Sequence, residues 1–249
     1  MTKEIVRSLR QYTAARVGLN RAGSGLATGE ILEFQMAHAQ ARDAVHAALD
    51  VPSLLSGLRE RQLPFCVLRS NAPDRSTYLR HPDLGRGLSS ASAAKLAAAP
   101  CDVVFVIADG LSALAVARHA LPLLDEVLRL DHQWSVGPIC VVEQGRVAIG
   151  DAIGAALAAK LSVVLIGERP GLSSPDSLGV YVTWAPRPGR MDAERNCISN
   201  VRPEGLEYAA AARMLAFYLG EALRRELTGI GLKLSGDLQA GGAPTQTLS

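Results

Sequence analysis

Only 4% of this 249-residue chain is aromatic, so Ala, Leu, Val and Ile must fill most of its interior. Cysteine is also scarce. Cys66, Cys101, Cys140 and Cys197 lie far apart and none forms a Cys-x-x-Cys pair, which argues against structural zinc and fits a reducing cytosol. Like charge never runs for five residues and the formal net charge is +2, so neither a nucleic-acid arm nor a membrane-binding patch is expected. No uninterrupted apolar run reaches the roughly 20 residues that span a bilayer. The opening "MTKEIVRSLRQYTAARVG" has no apolar stretch of the secretory kind. The expectation is a soluble cytoplasmic protein.

Several motifs are missing. There is no Gly-x-x-x-x-Gly-Lys-Ser/Thr loop, no Gly-x-Ser-x-Gly elbow and no His-Glu-x-x-His frame. "GSGLATG" (Gly23 to Gly29) is one residue too long for a dinucleotide fingerprint and follows a polar segment rather than a strand. No catalytic constellation and no metal-ligand set emerges.

What is present is a repeated apolar run. "VVFVIADG", "GPICVVEQG", "SVVLIGERPG" and "LGVYVTWAPRPG" lack polar alternation and are separated mainly by helical patterns. Such strands predict a parallel sheet covered on both faces, a doubly wound α/β domain. Its expected span is 101–234. The preceding segment, 1–100, reads as mainly helical. Within it, Gly29 to Asp50 places Ile31, Phe34, His38, Ala41, Val45 and Leu49 on one helical stripe behind a Thr28 N-cap, and "PFCVLRS" reads as a short strand. Pro122 reads as a boundary or kink. "PEGLEYAAAARMLAFYLGEALRREL" reads as a closing helix, and 235–249 as a disordered tail.

In a sheet of this kind ligands bind beyond the carboxyl ends of the strands. The runs end in "ADGLS", "EQGRV", "GERPG" and "APRPG", all rich in glycine or charge. Gly167 to Gly171 therefore reads as the rim of a binding crevice, with an ordinary strand-to-helix turn as the alternative.

Six segments carry a family resemblance, in order along nearly the whole chain: "ARVGLNRAG" (Ala15 to Gly23), "DAV" after the His38 helix, "YLRHPDLGRGLS", "VIADGLSA", "GRVAIGDAIGAALAAKLSVVLIGERPGLSSPDSL" and "RNCISNVRPEGL". "GERPGL" and "CISN" are the most specific. The chain resembles the small (light) subunit of ethanolamine ammonia-lyase. That resemblance implies an adenosylcobalamin-dependent lyase converting ethanolamine to acetaldehyde and ammonia. The cobalt–carbon bond opens homolytically, and the resulting deoxyadenosyl radical takes a hydrogen from substrate. A large TIM-barrel subunit holds the substrate, and the small subunit covers the cobalamin with a Rossmann-like domain at the subunit interface. The small chain is then inactive alone, and 1–100 makes partner-subunit contacts. Some members carry a longer N-terminal extension linked with delivery to a bacterial microcompartment. The chain reads as lacking it, which weakens the expectation of that location.

By the same resemblance the cobalamin contacts fall on Val147 in "GRVAI", Glu168 in "GERPG" and Cys197 in "NCISN". The residues themselves leave alternatives. Glu168 also suits an ion pair with Arg169 or Arg195, Cys197 a small buried hydrophobe, and Val147 plain packing. Tyr181 and Trp184 suit stacking or core. His38 and His46 read as packed or interfacial. The arginines at 69, 75, 80 and 86 read as partners for acids of the other subunit. No Asp-x-His-x-x-Gly run exists, and His132 follows Asp131 directly, so cobalamin is expected to keep its own dimethylbenzimidazole base. Two rival classes are a nucleotide-binding oxidoreductase, which the missing fingerprint opposes, and a non-enzymatic assembly protein.

Overall fold

The computed structural model describes residues 16–233. The segments 1–15 and 234–249, including the expected tail, lie outside the described residues. A small antiparallel hairpin, β1 (Arg21–Ala22) and β2 (Gly25–Leu26), precedes helices α1 (Thr28–His46) and α2 (Val51–Glu60). Strand β3 (Phe65–Arg69) follows, then short helices α3 (Arg75–Arg80) and α4 (Ser90–Ala93). The rest runs β4 (Cys101–Ala108), α5 (Ala113–Arg129), β5 (Ile139–Glu143), α6 (Ile149–Leu157), β6 (Ala159–Gly167), β7 (Leu178–Trp184), β8 (Arg195–Val201) and α7 (Tyr208–Arg225).

Six strands form one sheet in the order β3-β5-β4-β6-β7-β8, so it draws β3 from before residue 101. The first four are mutually parallel. The wholly parallel expectation is corrected at β7, which runs antiparallel to both β6 and β8. The reason is the connection. Residues 168–177 contain no helix to carry the chain back across the sheet, and an antiparallel return needs only a loop. Strand β8 reads weakly in the sequence because it is an edge strand with polar residues facing out.

Strand β4 lies inside the sheet and feeds both layers. Val103, Phe105 and Ile107 pack with Leu58 of α2, Val116 and Leu123 of α5, and Leu215 and Leu219 of α7. Val104, Val106 and Ala108 pack with Ile149, Ile153 and Leu157 of α6. Each fully buried Val, Leu, Ile or Phe side chain contributes about 1.5–3 kcal/mol, so these two clusters dominate the stability.

Three local expectations change. α1 begins at Thr28 and its N-cap is Ala27, without a side-chain cap. Its buried positions are Glu30, Ala37 and Ala44, seven apart, while Ile31 and Phe34 are exposed. Of the expected stripe, Ala41, Val45 and Leu49 are partly buried, while its first half faces out. Helix α5 continues through Pro122. Its apolar face, with Ala120, Leu123, Leu124 and Val127 fully buried, offsets the lost N–H donor. None of the helices among the described residues is long and apolar enough to cross a membrane.

Candidate functional site

The loops beyond β4, β5 and β6 meet at the carboxyl edge of the sheet. Asp109, next after β4, accepts from the backbone N–H of Gln144 and of Gly145, both at 2.9 Å. That joins the β4 and β5 loops. Burial pushes the Asp109 carboxyl up to about 6, against the opposing pull of the Gln144 N–H, Arg75 and the Gly145 N–H. Arg75 Nη1 lies 3.4 Å from Asp109 Oδ2 and donates to Gly110 O at 2.8 Å. The guanidinium groups of Arg75 and Arg146 stack over the Tyr78 ring at 4.9 and 4.4 Å. Tyr78 in turn donates its hydroxyl proton to Gly145 O at 2.9 Å.

The β4 and β6 loops touch backbone to backbone. Leu111 N donates to Gly167 O at 2.9 Å. A Cβ at Gly167 would sit 2.0 Å from Ser112 O, so only glycine permits this approach.

The edge of Gly167 and Glu168 opens on a hollow of about 420 Å³ bordered by Tyr78, Gly110, Arg146, Val147, Glu168 and Tyr181. Val147 and Arg146 also border a second hollow of about 400 Å³. This one shares Arg86, Ala148 and Asp192 with a third of about 440 Å³. The first lies at the carboxyl edge, while the third, lined by Pro188 to Asp192 after the antiparallel β7, lies against α6.

Val147 and Glu168 thus lie on the same hollow. Cys197 does not border it. It sits exposed on β8, in register with Tyr181. The alternative of an ion-paired Glu168 is not met: among the described residues its carboxylate meets no cation. It accepts instead from the hydroxyls of Ser177 and Ser199 and from Asn200 N at 3.2 Å. Arg195 is engaged elsewhere, by Asp151. Ser199 stands two residues after Cys197, on the same face of β8, and links that strand to Glu168. Gly179 lies beneath. A Cβ there would sit 3.0 Å from Glu168 Cγ.

The alternative of Cys197 as a small buried hydrophobe is likewise not met, since it lies exposed on the edge strand β8. Trp184 is partly buried against the main core, while Tyr181 borders the first hollow. Two arginines read as partner contacts have partners in this chain: Arg69 pairs with Glu143 at 2.8 Å and Arg75 with Asp109. His38 and His46 are exposed on α1 and border a separate hollow with Pro170 and Leu172. His132 stacks on Trp134 at 3.7 Å, ahead of β5, at the sheet end opposite the carboxyl edge. Arg146, Ser177, Gly179 and Ser199 escaped the sequence reading. The alternation in "NCISN" was the available signal for the last of them. No group of three metal-ligating side chains exists among the described residues.

Fold and site together define a class: an α/β protein with a candidate ligand hollow at the carboxyl edge of its sheet. The family described as Ethanolamine ammonia-lyase light chain (EutC) matches residues 3–233. The chain is 58% identical over 233 residues to "Ethanolamine ammonia-lyase small subunit" of Azotobacter vinelandii, covering 90% of this chain and 86% of the relative. It is 54% identical over 240 residues to the protein of that name in Pseudomonas aeruginosa, covering 93% and 88%. It is 52% identical over 237 residues to that in Xanthomonas campestris pv. campestris, covering 92% and 87%. The chain belongs to the ethanolamine ammonia-lyase small-subunit family.

Proposed function

We propose that this chain is the small subunit of an adenosylcobalamin-dependent lyase that converts ethanolamine to acetaldehyde and ammonia, working in the cytoplasm with a large subunit that holds the substrate. Its Rossmann-like sheet covers the cobalamin at the interface, with Val147, Glu168 and Cys197 as contacts. The observation that carries this reading is the meeting of Val147 and Glu168, 21 positions apart in the chain, on one hollow at the carboxyl edge.

The site suits the cofactor in size and chemistry. A corrinoid is large, carries a fringe of neutral amides and has a nucleotide tail, and three adjoining hollows offer an extended bed for it. The Glu168 carboxyl group offers an acceptor that meets no cation among the described residues. Arg146 borders two of the hollows and its buried Nε has no partner, which suits a ligand oxygen. Tyr181 offers a ring to stack on. When bound, the cofactor supplies the radical chemistry.

The residues of this chain bind, orient and exclude water. Ser177 and Ser199 fix the Glu168 carboxylate, so its remaining acceptor position points without loss of side-chain freedom. Val147 contributes apolar contact. The base-on form of the cofactor is favoured by the missing Asp-x-His-x-x-Gly run.

The test is reconstitution. Small and large subunits are mixed and titrated with adenosylcobalamin, following the absorption spectrum and ethanolamine turnover. Saturable binding, with activity only when both subunits are present, is expected. Full turnover by the small chain alone, or binding unchanged when Val147 and Glu168 are both replaced, overturns the reading.

A further inference from the structure

Cys66 and Cys140 are register partners on adjacent parallel strands β3 and β5. Their side chains emerge on the same face of the sheet, and the two Sγ atoms lie 3.3 Å apart. Neighbouring strands are about 4.8 Å apart, within the Cα separation a disulfide accepts, roughly 4.4–6.8 Å.

The two thiols are unequal. Cys140 is fully buried, while Cys66 is only partly buried, on the edge strand. Cys140 and then Lys95 favour the thiolate of Cys66, against its burial. The Lys95 ammonium is anchored beside it, donating to Val67 O at 3.3 Å. The neighbouring Cys66 sulfur and then burial push the Cys140 thiol up. The pair plays no part in the candidate site. It lies on β3 and β5 three residues before their carboxyl ends, Arg69 and Glu143.

We propose that Cys66 and Cys140 form a peroxide-reactive dithiol, with Cys66 the attacking thiol and Cys140 the resolving one. In the first step the Cys66 thiolate attacks one oxygen of a hydroperoxide. An S–O bond forms, the O–O bond breaks, sulfur loses two electrons and the peroxide leaves as hydroxide or alkoxide. In the second step Cys140 sulfur attacks Cys66 sulfur. The S–S bond forms, the S–O bond breaks, and the departing hydroxide takes the Cys140 proton as water. A partly exposed thiol in contact with a second cysteine, with a lysine ammonium nearby that favours its thiolate, is the arrangement such chemistry needs.

The experiment uses the assembled complex with the large subunit, exposed to hydrogen peroxide from equimolar to about tenfold excess, then alkylated, digested without reduction and analysed by mass spectrometry. Expected is a cross-linked pair of peptides containing Cys66 and Cys140, appearing before Cys197 or Cys101 is modified. In Cys140→Ser, dimedone should tag Cys66 as the sulfenic acid. In Cys66→Ser, dimedone should leave Cys140 untagged. The proposal is overturned if both thiols stay alkylatable while Cys197 oxidises, if Cys140 is tagged in Cys66→Ser, or if the cross-link forms only in denaturant. The first arm needs no substitution, so a variant that fails to fold does not rescue the proposal.

Discussion

Arg195 and Asp151 form a buried two-pronged pair, Nη1 to Oδ1 and Nη2 to Oδ2 both at 2.7 Å, with each side chain only 2% exposed. The pair ties the start of β8, the strand of Cys197 and Ser199, to α6, the helix that follows Val147. Arg195 also donates to Thr183 Oγ1 at 2.8 Å and Arg190 O at 3.0 Å, so most of its fork is satisfied.

Breaking that pair should cost stability. Asp151→Ala or Arg195→Met alone leaves a buried charge without its partner, and about 3–5 kcal/mol is expected. Replacing both together by apolar residues should recover much of the loss. Urea unfolding of the two single variants and the double variant checks this. Two additive losses would refute the pairing argument.

Glu168 should matter for the cofactor more than for the fold. Its carboxylate is held by two hydroxyls and one N–H, with no cation to strand. Glu168→Ala removes one hydrogen bond to a ligand group, about 0.5–1.5 kcal/mol, so the apparent adenosylcobalamin constant should rise several-fold to about tenfold. Ser199→Ala should raise it less. Spectral titration of the reconstituted complexes, with melting temperatures alongside, separates the outcomes. An unchanged constant with a lowered melting temperature returns Glu168 to a structural role.

Two neighbouring glycines should behave differently. At Gly167 a Cβ meets backbone, Ser112 O at 2.0 Å and Ser112 C at 2.6 Å. Gly167→Ala should therefore destabilise by about 1–3 kcal/mol or more. At Gly179 it meets only side chains, Glu168 Cγ and Oε1 at 3.0 Å and Tyr181 at 3.2 Å. These can move. Gly179→Ala should leave the melting temperature nearly unchanged and weaken cofactor binding by displacing Glu168. Equal losses of stability in the two variants would contradict this.

Asp109 should give stability a pH dependence of definite sign. Its carboxyl is pushed from 3.8 up to about 6, so the folded state binds its proton more tightly than the unfolded chain does. This contribution is fully present below pH 3.8 and is lost as pH rises through about 6. At about 1.4 kcal/mol per unit it amounts to roughly 3 kcal/mol at most. Denaturation of wild type and Asp109→Asn across pH 4 to 7 should show wild type losing ground to the variant as pH rises. A constant difference between the two would show that Arg75 and the loop N–H groups hold the carboxylate ionised throughout.

The apolar runs of β4, β5 and β6 were legible because a strand buried on both faces must be apolar at every position, and no partner need be known to see that. The glycines and charges at their ends likewise marked the carboxyl edge, and the order of "GRVAI", "GERPG" and "NCISN" was enough for the family. The direction of β7, the placing of β8 on the far edge and the partner of Arg195 were decided only in three dimensions. Local periodicity says which face of a segment is buried and not what covers it. Arg195 had Glu168 and Asp151 within chemical reason, 27 and 44 positions away. The register of β8 on β7 places its guanidinium beside α6 and leaves Glu168 to Ser177 and Ser199. The small alanines of α1 make the same point. They share the buried side with Glu30, whose carboxylate accepts from Asn20, a pairing that local periodicity could not show.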